Sequence, residues 1–61
     1  MNGKLVIKKL ENQGWKVLRS RGSHYQLGKG KLLTTVPVHQ NKDLGKGLIA
    51  AIERQTGVKL T

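Results

Sequence analysis

The chain predicts an α+β fold of element order α-β-β-β-α, a three-stranded antiparallel sheet with two helices on one face. Three observations predict it. Apolar residues repeat at helical spacing near both ends of the chain. Between them lie three short strand-like runs, separated by glycine-containing turns at hairpin spacing. A three-stranded meander has one face to hide, and two helices are enough to cover it.

From about Gly3 to Gln13, Val6 and Leu10 are four residues apart and Ile7 and Leu10 three, with Leu5 beside them. That spacing makes one apolar stripe on a helix. Asn2 is placed to cap the first turn, and Gly14 suits the position just past the last. The first strand, Trp15-Lys16-Val17-Leu18-Arg19, alternates only in part. In the second, Tyr25 and Leu27 alternate with His24 and Gln26. In the third, Leu32, Thr34, Val36 and Val38 alternate with Leu33, Thr35 and Pro37. Pro37 fits a strand end, where a missing ladder donor does no harm.

His39 to Asp43 is polar and reads as a loop. From about Gly45 to Gln55 a second amphipathic helix follows, with Leu44, Leu48 and Ile52 repeating every four residues. Gly57 stops it. The expected core is Leu5, Ile7, Leu10, Trp15, Val17, Tyr25, Leu27, Leu32, Val36, Leu48 and Ile52. If Tyr25 and Leu27 pack under the helices, the pleat turns His24 and Gln26 to the opposite, solvent face.

Sixty-one residues make a single domain, residues 1–61. A chain this short buries only about 60% of the surface that its unfolded form exposes. It has no room for a deep substrate cavity, so an active site belongs on its surface. There is no cysteine, which removes disulfides and thiolate metal sites. The longest apolar run, Leu48-Ile49-Ala50-Ala51-Ile52, is far too short to span a bilayer. No secretory signal is evident at the start, so no membrane partner is expected and the cytoplasm is the expected compartment.

Twelve Lys and Arg face three Asp and Glu, a formal charge of +9. The partner that suits so dense a field is a polyanion, nucleic acid first. With Trp15 and Tyr25 as the only aromatic residues of the Phe, Trp and Tyr set, a stacking platform of several rings is not expected. Lys42 and Lys46 stand near the start of the second helix, where the dipole already favours phosphate. If about four phosphates are neutralised on single-stranded RNA, a fourfold rise in salt weakens binding by about 50-fold.

The stretch Arg19-Ser20-Arg21-Gly22-Ser23-His24-Tyr25 carries the chemistry. It sets a histidine, which can pass protons near neutral pH, just after a glycine turn and beside two permanently charged arginines suited to phosphate geometry. His39 follows Pro37 at a strand end and reads first as a solvated loop histidine, with a second proton-transfer group as the alternative. The three carboxylates, Glu11, Asp43 and Glu53, are too scattered for a two-metal nuclease, so neither a metal nor another cofactor is expected.

Gly22-Ser23-His24-Tyr25, then Thr35-Val36-Pro37-Val38-His39, then Asp43-Leu44-Gly45-Lys46-Gly47 opening a helix that ends at Gly57, together resemble the HicA toxins. These are small bacterial mRNA interferases with a fold like that of double-stranded-RNA-binding domains. The resemblance runs from the first helix through Gly57. It implies ribonuclease activity on mRNA, a HicB-like antitoxin as partner, His24 as the catalytic histidine, and Gly22 and Ser23 as its supports. The loop Gly28-Lys29-Gly30 is short, a local departure from that pattern. Arg19, Arg21, Lys42 and Lys46 are the expected RNA contacts. Two readings stay beside this one: a non-catalytic RNA-binding module of the same fold, and a protein that docks a partner through its basic face.

Overall fold

The computed structural model describes all of residues 1–61. Its elements are α1 (Gly3–Asn12), β1 (Lys16–Arg21), β2 (His24–Lys29), β3 (Leu32–Pro37) and α2 (Lys46–Thr56). The sheet is antiparallel, in the order β1-β2-β3. This is the expected α+β layout, with element ends within two residues of those read from the pattern.

The local signals act as expected. The Asn2 side chain accepts a hydrogen bond from Leu5 N at 2.9 Å and caps α1. Both hairpins turn on two residues, Gly22-Ser23 and Gly30-Lys31, between the paired Arg21/His24 and Lys29/Leu32. In each the first turn residue is a glycine with positive φ, 59° and 58°, as a tight hairpin of this kind demands. Gly57, at φ 72°, ends α2.

Val6, Leu10, Trp15, Leu27, Val36, Ile49, Ile52 and Leu60 form the core. Ile7 and Tyr25 are half-buried against it. Four expected core residues are instead exposed: Leu5, Val17, Leu32 and Leu48. Each error has a geometric reason. The α1 stripe is centred on Val6 and Leu10, so Leu5 falls to its flank. The α2 stripe runs through Ile49, Ile52 and Thr56, one residue away from the Leu44–Leu48–Ile52 line. Val17 shares the covered side with its partner Leu27, but it lies on an edge strand. Leu32 opens β3 at the hairpin end, where the sheet is little covered.

Leu60 enters the core from beyond α2, and its backbone N–H donates to Glu53 Oε2 at 2.7 Å. Two buried threonines are satisfied. Thr34 Oγ1 donates to Gln55 Oε1, and Thr56 Oγ1 to Ile52 O, both at 2.7 Å. Gly3 is buried, and a Cβ there would collide with the Pro37 carbonyl oxygen. The bare backbone of α1 therefore rests directly against the end of β3.

Candidate functional site

The helices leave the other face of the sheet open. Residues paired across adjacent antiparallel strands share a face, which settles what that face carries. One row runs Arg19–Gln26–Thr35, and the next Arg21–His24–Pro37. Arg19, Arg21, His24, Gln26 and Thr35 line a shallow depression of about 130 Å³. His24 is exposed there, on the side expected from the pleat.

The arginines reach this face through an irregularity. Val17 pairs with Leu27 and Arg19 pairs with Gln26, so Leu18 is an extra residue in β1. Strict alternation would set Val17, Arg19 and Arg21 on one side, under the helices. The bulge resets the phase, and both guanidinium groups emerge beside His24. Arg19 Nε donates to Gln26 Oε1 at 3.2 Å, which orients one of them.

His24 sits at the first position after the Gly22-Ser23 turn. The Ser23 carbonyl accepts a hydrogen bond from Val38 N at 2.6 Å, binding that turn to the segment that leaves β3. His39 follows directly. Its ring stands 6.4 Å from that of His24, edge to face at 82°. A second depression is lined by His39, Gln40, Asn41 and Lys42. No three His, Cys, Asp or Glu side chains gather anywhere in the chain.

The decisive observation comes from comparison with known families. The sequence model of the family described as the HicA toxin of bacterial toxin-antitoxin systems matches residues 3–58. The chain belongs to the HicA toxin family. No curated protein and no solved structure gives a significant match. The matched segment takes in all five elements, both hairpin turns and the His39–Asp43 loop of this HicA chain.

Of the residues expected to touch RNA, Arg19 and Arg21 share the His24 depression. Lys42 lies in the one beside His39. Lys46 lines a separate hollow with Met1, Leu44, Ile49, Glu53 and others, and is not drawn to the histidines. Gly22 supplies the turn, and Ser23 contributes its carbonyl rather than its hydroxyl. Sequence reasoning passed over Gln26 and Thr35 as site residues. Hairpin register was the signal, because a two-residue turn between Arg21 and His24 sets Gln26 opposite Arg19 by counting back along both strands. In this HicA chain no helix is long and apolar enough to cross a membrane.

Proposed function

We propose that the chain is an endoribonuclease that cleaves mRNA in the cytoplasm, with His24 as its proton-transfer group. The observation that carries the proposal is an exposed imidazole flanked by two arginines, on a sheet face that nothing in the chain covers. RNA holds its own nucleophile, the 2′-hydroxyl next to the scissile phosphate. The enzyme need only move protons and stabilise charge on phosphorus. His24 takes the proton from the 2′-hydroxyl or gives one to the departing 5′-oxygen. A positioned group of this kind contributes typically 10²–10⁴-fold. Arg19 and Arg21 stabilise the charge that builds on the phosphoryl oxygens. Gly22 and Ser23 hold the turn that presents the ring, and Lys42 and Lys46 bind the strand further out. Neither metal nor cofactor takes part.

The partner that silences the toxin is a HicB-like antitoxin with an acidic face, which covers His24 and neutralises the surrounding charge. The test incubates purified protein with RNA in the presence of a chelator. Cleavage persists, His24→Ala abolishes it while RNA binding stays within a few-fold, and a 2′-deoxy residue at the cut site blocks it. RNA that is bound and never cut would instead leave the non-catalytic RNA-binding module. Cleavage of the deoxy substrate would exclude attack by the 2′-hydroxyl.

A further inference from the structure

The proposed reaction has two proton transfers, and His24 can perform only one of them at a time. We infer that His39 performs the other, so that the two imidazoles form an acid–base pair spanning the scissile phosphate. This rests on the nuclease reading above and names its missing group.

Four features carry the inference. The rings lie 6.4 Å apart and edge to face, close enough for one phosphate to meet both. Neither ring hydrogen-bonds to the other or to any other group of the chain, so both keep their nitrogens free for a substrate. Both are exposed, and each borders its own depression: the arginine-lined one at His24, the Lys42-lined one at His39. A strand that occupies both depressions meets both rings.

The spacing is built into the backbone. His24 is paired with Pro37 across the sheet, and Val38 N donates to Ser23 O at 2.6 Å. Beyond His39 the chain turns sharply. Gln40 takes the left-handed conformation at φ 55°, and Lys42 N donates to His39 O at 3.0 Å. A non-glycine residue held there is strained, and such strain persists only where the surroundings enforce it.

No carboxylate competes for the role. Asp43 pairs with the amino group of Met1 at 3.2 Å. Glu53 accepts from the backbone of Leu60 and Thr61. Glu11 stands on the last turn of α1. Tyr25 belongs to the covered side of the sheet, packed against the core. The other charged groups beside the rings are Arg19 and Arg21 in the His24 depression and Lys42 in the His39 one, placed to stabilise charge on the phosphate.

The proton balance closes. One imidazole accepts the proton of O2′ as the O2′–P bond forms. The other donates its proton to O5′ as the P–O5′ bond breaks. The products are a 2′,3′-cyclic phosphate and a 5′-hydroxyl, and exchange with water restores both rings.

The experiment uses two substrates, ordinary RNA and RNA whose departing 5′-oxygen is replaced by sulphur, a leaving group that needs no proton. His24→Ala, His39→Ala and His39→Phe are compared with the unaltered protein, with far-UV circular dichroism as the folding control. On ordinary RNA, both His39 variants are expected to lose at least 100-fold. His39→Phe matters because it keeps an aromatic ring at that position and removes the nitrogens that carry the proton. On the sulphur substrate, one of the two histidine positions, and only one, should recover to within tenfold of the unaltered protein, and that position is the acid. The inference is overturned if His39→Phe cuts ordinary RNA within threefold of the unaltered protein. It is equally overturned if the sulphur substrate rescues neither position or both. An unaltered protein that cuts neither substrate removes the nuclease reading, and this inference with it.

Discussion

The two faces of the sheet are written by alternate residues of the same strands, yet they obey different rules. On the covered face, Leu27 and Val36 are fully buried and Tyr25 packs beside them. Their neighbours His24, Gln26 and Thr35 stand on the open face and line the histidine depression. Core and site are thus interleaved one residue at a time, and a slip of one would exchange them. The open face is itself divided. Its other end is apolar, with Leu18 and Leu33 exposed and meeting over Gly28, where a Cβ would come within 2.8 Å of Leu18.

The difference between the faces can be broken most severely by putting a charge on the covered side. Leu27→Arg sets a guanidinium group at a fully buried position. Burying an unpaired charge in so small a core is expected to abolish the cooperative thermal transition. A variant that melts like the parent would show that position 27 does not face the core. Next comes Leu27→Ala, which should cost about 2–5 kcal/mol by chemical denaturation, because it opens a cavity at a fully buried position. That is a large part of the stability of a domain expected near the low end of about 5–15 kcal/mol. The smallest effect is expected on the open face. Leu33→Ser, at a residue 54% exposed, should change stability by no more than about 0.5 kcal/mol.

Much of this was legible from the residues. Glycines at hairpin spacing and the Asn2 cap are local devices, and local devices read well. The exposure of His24 followed from the pleat once Tyr25 was assigned to the core side. Three things were not legible. The phase of β1 depends on Leu18, and a bulge leaves no sure mark in a six-residue strand. The α2 stripe was misplaced by one residue, because Leu48 and Ile49 are equally apolar and only tertiary packing chooses between them. Leu60 lies past a helix stop, where periodicity is silent. The nearness of His24 and His39 is also tertiary. It comes from a β2–β3 register that leaves both beside the same turn, fifteen positions apart in the chain.

The 2.6 Å bond between Val38 N and Ser23 O has a consequence for how the molecule fails. It joins the half-buried Ser23, in the β1–β2 turn, to the half-buried Val38 just past β3, at the rim of the sheet. Rims of this kind open at lower free energy than interiors. Warming should therefore open the rim before the molecule melts: the proposed RNA cutting should fade reversibly several degrees below the midpoint seen by circular dichroism. Loss of both at one temperature would show instead that the rim and the interior open as one unit.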